Sequence, residues 1–319
     1  MNRNQALLVA LTLAAMILVA AVSVLRSDDQ DGEDDRVRVV ASFYPLGHMA
    51  REIGGDRVSV TTLVPENSEV HGWQPSPSDI VAADDAHVLV YNGAGLDPWF
   101  EEDVLETIYA GDAVVVETTH GLDLLDREGH QHGDGGDGGH DHGEVDPHTW
   151  LSPWMAMWQG QAIHEALVEA DPGGEVGYTD RWNGLRERLE TLDGRYLDGL
   201  NGTAHDTIVV SHEAYGYLAH RYGFQQHGVI GLSAEEQPSA GAIAGLVDEM
   251  VELGIFTVYV DPVYSDDYAR TLEAEVEEET SEDVVVLRLY LMTGRVDGLD
   301  MMEQMERNLD NLVTGLEGG

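Results

Sequence analysis

From Val37 onward the chain alternates short apolar runs with amphipathic stretches, a rhythm that predicts βα units around parallel sheets. In the first half the strand candidates are Val37–Phe43, Val58–Leu63, Ala86–Tyr91 and Ala113–Glu117. In the second half they are Thr207–Ser211, Gln226–Ile230, Thr257–Val260 and Val284–Leu289. Between the halves, Tyr178, Trp182, Leu185, Leu189, Leu192 and Tyr196 recur at spacings of three and four. That single apolar stripe predicts a helix over roughly Val176 to Leu200. Asp171-Pro172-Gly173-Gly174 breaks the helix before it. Met302, Met305, Leu309, Leu312 and Leu316 repeat the stripe near the C-terminus, and both stripes read as core packing.

The expected fold class is therefore α/β: two lobes, each with a four-stranded, mainly parallel sheet flanked by helices, joined by one long backbone helix. The expected boundaries are an N-terminal segment over 1–35, a first lobe over 36–172 carrying a His/Asp-rich loop at 129–145, a linking helix over 173–201, and a second lobe over 202–319. A helix is a stiff connector, so small lobe adjustments are expected rather than closure about a wide hinge.

Ala6 to Leu25 contains no charge, Pro or Gly over 20 positions. As a helix it would cross a hydrocarbon core of about 30 Å. Arg3 precedes it and six acids fill the nine residues Ser27–Asp35, so the positive-inside rule places the body of the protein outside the cytoplasm. A cleaved signal peptide is the rival reading; the length favours a retained anchor, with the acidic run as a solvated tether.

Composition narrows the partners. The 319 residues hold 60 acidic and 16 basic side chains, a formal net charge of −44, which excludes a nucleic-acid backbone as the main ligand. All the basic residues are Arg. This acidic, Lys-free balance resembles that of proteins adapted to saturating salt, where a Debye length of about 3 Å screens the self-repulsion. Individual surface carboxylates are discounted as site candidates for the same reason. The absence of Cys excludes disulfides, thiolate metal sites and a lipid-modified cysteine.

Histidine carries the candidate chemistry. His130, His132, His140 and His142 lie in GHQHGDGGDGGHDHGE, a stretch of Gly and Asp that cannot build a core and reads as an exposed auxiliary metal loop of poor selectivity. Three others stand in constrained surroundings: His71 in SEVHGWQPSPSD, His148 in DPHTWLSP, and His212 at the end of an apolar strand in VVSHEAYGYLAHRYG. Taken singly, each reads more readily as a hydrogen-bonded structural residue than as a ligand. Taken together they sit at strand-end loops of two lobes, where open α/β sheets gather ligands. Three imidazoles converging in a cleft would suit Zn²⁺ at about 2.0–2.1 Å, with a fourth position for carboxylate or water.

Five segments in order, ASFYPLGHMAREIGG, LVPENSEVHGWQPSPSD, DPHTWLSP, VVSHEAYGYLAHRYGF and GLSAEEQPSA, resemble the zinc/manganese substrate-binding proteins of ABC transporters, the TroA-like helical-backbone type. The resemblance runs from about Val37 to the C-terminus. It implies that both lobes bind metal, through His71, His148 and His212, and that the ion is handed to a membrane permease with its ATPase. The family's fourth ligand, an Asp or Glu, falls nearest Thr293 in LRLYLMTGRVDG, a departure from the pattern. Water or Glu69 is the favoured substitute over Asp297. Asp261 and Asp266 read as helix caps or salt-adapted surface.

Three neutral imidazoles with at most one carboxylate suit Zn(II) as transported ligand; Mn(II), which prefers more carboxylates, is the alternative within the same class. The expectation is capture without catalysis by a monomer at the extracytoplasmic face of the membrane, anchored or secreted. A zinc hydrolase or hydratase is the rival, since three His and an open water position are also catalytic, with Glu213 as its sole obvious base. No HExxH or GxSxG motif supports it. A metal-sequestering or adhesive surface protein is the third reading.

Overall fold

The computed structural model describes residues 35–108, 111, 113–126, 145–230, 240–263 and 265–318. The segment Ala6–Leu25, the acidic run before Asp35, and His130, His132, His140 and His142 lie outside the described residues. Among the described residues no helix is long and apolar enough to cross a membrane.

The first sheet is built from β1 (Val37–Ala41), β2 (Val58–Thr62), β3 (Val88–Tyr91) and β4 (Val114–Glu117), in the order β2-β1-β3-β4. The second holds β5 (Thr207–His212), β6 (Gln225–Ile230), β7 (Thr257–Val260) and β8 (Val285–Arg288), in the equivalent order β6-β5-β7-β8. Every strand pairing in both sheets is parallel. The central strands are shielded on both faces, which is why Val39, Val40, Val88, Leu89 and Val90 form unbroken apolar runs rather than alternating ones.

Observed strand ends lie within two residues of the sequence expectation, and β7 matches it at both ends. The run Val37–Phe43 stops as a strand at Ala41, because Ser42 and Phe43 turn into helix α1 (Tyr44–Gly54), whose first turn holds Pro45. β5 runs one residue further than expected, so His212 is a strand residue in register with Ile230.

Helices α2 (Pro77–Asp84) and α3 (Pro153–Ala170) complete the first lobe. The linking helix α4 spans Glu175–Gly199, and its stripe of Tyr178, Trp182, Leu185, Leu189, Leu192 and Tyr196 is buried as expected. Gly160 of α3 meets it face to face: a Cβ there would lie 2.5 Å from the Trp182 ring, so only glycine permits the approach. Arginines tie α4 to both lobes. Arg181 donates to the carbonyls of Ile53 and Gly54 at 2.7 and 2.9 Å, while Arg195 reaches Glu306 at 3.2 Å and the Tyr196 hydroxyl donates to Met305 O at 2.7 Å.

The second lobe adds α5 (Gly216–Tyr222), α6 (Ala240–Leu253), α7 (Asp267–Thr280) and α8 (Met301–Leu316). One continuous core runs through the first lobe, α4, α8 and residues of β5. A separate cluster, including Val209, Leu246, Met250, Val258, Leu272 and Val276, lies under α6 and α7.

The loops after β2 and β8 meet directly. Asn67 N–H donates to Thr293 O at 3.1 Å, its Nδ2 donates to Arg295 O at 3.1 Å, and Arg295 N–H donates to Glu66 Oε2 at 3.0 Å. Gly294 makes this contact feasible, because a Cβ there would fall 2.6 Å from the Asn67 amide nitrogen.

Candidate metal centre

The residues beyond strand ends in both sheets converge on three imidazoles. His148 follows Asp146 and Pro147 and precedes a single 3₁₀ turn, Thr149–Leu151, that leads into α3. Asp146 Oδ1 accepts from the His148 amide at 2.9 Å and lies 2.8 Å from the ring Nδ1; with the carboxyl ionised, the hydrogen sits on Nδ1 and Nε2 keeps its lone pair. Burial pushes the His148 imidazole well below its ordinary pKa and the Asp146 carboxyl well above. A neutral imidazole is the form that coordinates metal.

His71 lies in the loop after β2. Glu69 Oε1 accepts from the amides of Val70 and His71 at 2.9 and 3.1 Å, and the indole of Trp99 donates to Val70 O at 3.1 Å, so the chain on either side of Val70 is pinned. His212 is positioned by the sheet itself, as the last residue of β5, and is only 4% exposed. Next to it, Glu213 Oε1 accepts from Gly228 N–H at 3.0 Å across to β6. The sole base candidate of the hydrolase reading is thus engaged in joining two strands.

The ring centroids of His71 and His148 are 5.7 Å apart, and those of His148 and His212 are 4.9 Å apart. Two imidazoles on one tetrahedral Zn²⁺ at about 2.0–2.1 Å would have centroids roughly 5.2 Å apart. The observed spacings bracket that value. The ring planes meet edge to face, at 62° and 79°, and among the described residues no three His, Asp or Glu side chains are focused as a finished coordination sphere. The ring centroids of these two pairs thus have the spacing of a site, while the ring planes are not focused on one centre.

Of the oxygen candidates, Glu69 is half-buried beside His71, and its charge acts on His148. Thr293 is buried, with its carbonyl holding Asn67. Asp297 is half exposed and engaged by Arg288 and, at 3.4 Å, by the Tyr290 hydroxyl. Asp266 fits the surface expectation, paired with Arg270 just before α7. Asp261 departs from it. It is buried, accepting from Val263 and Leu291 amides at 2.7 and 2.6 Å, and burial pushes its carboxyl up to about 6.

The sequence reading missed a buried polar brace behind His148. Asn92, at the end of β3, donates through Nδ2 to Pro147 O at 3.0 Å and accepts from Gln159 Nε2 at 3.0 Å, while Asp97 accepts from the Asn92 and Gly93 amides at 2.8 Å each. The available signal was positional: a polar residue directly after an apolar strand, in VLVYNGAGLD.

Two parallel-sheet lobes on one helical backbone, with shielded histidines gathered beyond the strand ends, define the class of two-lobed solute-binding proteins. The chain belongs to the ZnuA family, the periplasmic component A of zinc-uptake complexes, whose pattern matches residues 39–315. It is 30% identical over 306 residues to the high-affinity zinc uptake system protein ZnuA of Bacillus subtilis (strain 168), covering 95% of each chain. It is 32% identical over 290 residues to the manganese-binding lipoprotein MntA of Halalkalibacterium halodurans, covering 90% of each. Among solved structures, the metal-dependent lipoprotein YcdH of B. subtilis superposes with a TM-score of 0.74 at 28% identity, covering 88% of this chain and 100% of that one. Zn(II)-bound AdcA of Streptococcus pneumoniae superposes with a TM-score of 0.73 at 26% identity over 88% of this chain, which spans 58% of AdcA.

Proposed function

We propose that this protein captures Zn(II) outside the cytoplasm between its two lobes and delivers it to the permease and ATPase of an ABC importer. The observation that supports the reading is the gathering of His71 and His212, each from a different loop or strand end, on either side of His148 at centroid spacings close to what one zinc ion requires. Glu69 supplies the fourth, oxygen donor, or water does. A donor set of three imidazoles and at most one carboxylate favours zinc over manganese, despite the likeness to a manganese-binding relative. The family is a transport component, so the bound ion is cargo and nothing is turned over.

In this reading residues 36–172 and 202–319 are the two metal-binding lobes and 173–201 the link. Residues 1–35 hold the monomer at the outer face of the membrane, and His130, His132, His140 and His142 collect zinc near the cleft. The acidic surface adapts the whole to concentrated salt.

Calorimetry in molar salt tests this. One tight zinc site is expected, surviving deletion of residues 129–143 and weakened at least about a hundredfold by His71→Ala, His148→Ala or His212→Ala. Unchanged affinity in all three variants would overturn the assignment.

A further inference from the structure

The histidine that is held most tightly is held from the opposite lobe as well. Asp146 belongs to the first lobe, yet its surroundings come from the start of α5 in the second. The Tyr217 hydroxyl donates to Asp146 O at 2.7 Å and accepts from Leu125 N–H at 3.2 Å, so one phenol grips the two chain segments that meet just ahead of His148. Tyr217 is 5% exposed, packed with Leu125 and Met155. Its neighbour Gly216 is pressed against the other end of Asp146: a Cβ at 216 would lie 2.4 Å from Asp146 Oδ2. The carboxylate is therefore fixed between His148 on one side and the bare backbone of Gly216 on the other. Gly216 and Tyr217 follow His212 by only four and five residues, so the element that carries the second lobe's imidazole also seats the support of the first lobe's.

We propose that Gly216 and Tyr217 are positioning residues that aim His148 through Asp146, so that zinc affinity depends on where the second lobe sits. This rests on the zinc-site reading above. A second-lobe displacement of a fraction of an ångström shifts Asp146, and His148 turns with it, because both its amide and its Nδ1 are bonded to the same carboxylate oxygen. The ion is then released without any wide opening of lobes braced by α4. A membrane partner that pushes on the second lobe alone has, in this contact, a lever on a ligand of the first.

The test uses the full chain in molar salt. Tyr217→Phe keeps the ring in its apolar cluster and deletes only the hydroxyl, and zinc affinity should fall about tenfold, the low end for an outer-shell contact. Gly216→Ala should fall further, toward a hundredfold. Tyr196→Phe is the control, since it also removes a buried hydroxyl donating to a carbonyl at 2.7 Å, but within the α4–α8 contact. It should lower thermal stability comparably and leave zinc affinity unchanged. In nitrogen-15 histidine spectra of the zinc-free chain, the His148 Nδ1–H resonance should move in the Tyr217 and Gly216 variants and stay in the Tyr196 variant. If His148→Ala weakens zinc but Tyr217→Phe and Gly216→Ala behave like Tyr196→Phe, the positioning role is wrong and the site stands. If His148→Ala itself leaves binding intact, the zinc-site reading fails first.

Discussion

The two lobes share a strand order and differ in how they hold their histidines. In the first lobe His71 and His148 ride on loops, and each loop is organised by a carboxylate two residues earlier: Glu69 caps the amide of His71, and Asp146 holds both the amide and the ring of His148. In the second lobe His212 is the last residue of a strand, and the β5–β6 ladder fixes its backbone. A loop-borne histidine needs a supporting carboxylate and the desolvation that goes with it; a strand-borne histidine inherits its position from the sheet. The cores differ in parallel. The first lobe and α4 share one continuous core, whereas α6 and α7 pack over a cluster of their own.

The largest test of that contrast is mechanical. Leu189→Ala in α4 and Leu272→Ala in α7, both fully buried, should each cost about 2–5 kcal/mol of unfolding free energy in denaturant titrations. Only Leu189→Ala should also weaken zinc, because it opens a cavity in the core that α4 shares with the first lobe, which Tyr196→Phe does not, whereas Leu272 lies in the separate cluster. Next comes the ligand support. Asp146→Asn should weaken zinc by roughly 10–100-fold in competition titrations, whereas Glu213→Gln beside the strand-held His212 should change it by no more than about threefold. Equal losses would erase the distinction between loop-held and strand-held histidines.

The smallest effect is a pH signature. Burial pushes the Asp97 carboxyl up to about 6 although the Asn92 and Gly93 amides pull it back. The folded value lies above the ordinary 3.8, so the folded chain takes up this proton before the unfolded one does. The contribution of Asp97 to stability therefore grows as pH falls from about 6 toward 3.8 and is absent above. The difference in melting temperature between the native chain and Asp97→Asn, followed against pH, should bend near 6.

Much of this was legible in the sequence because burial leaves a mark there. Strands covered on both faces wrote continuous apolar runs, and the α4 stripe at spacings of three and four gave a helix that begins one residue before the expected start and ends one before the expected end. The three histidines stood out for their constrained neighbours. The supports behind them did not, for two physical reasons. The brace from Asn92 to Pro147 joins residues 55 apart, and nothing local in either segment marks a contact of that range. The structural carboxylates were hidden by their own abundance: among 60 acids spread for solvation, Asp97, Asp146 and Asp261 look like surface until their burial is seen. Ring orientation is also beyond sequence, since χ angles are set by neighbours that the fold brings together.

The meeting of the loops after β2 and β8 bears on any attempt to redesign which ion this scaffold carries. Manganese favours oxygen-rich shells, so changing the ion calls for an extra carboxylate, and Thr293 lies in this seam. Thr293 enters the seam through its backbone carbonyl, so a new side chain there would leave that hydrogen bond in place, whereas Gly294 tolerates no substituent against the Asn67 amide. The engineer's choice narrows to a single codon.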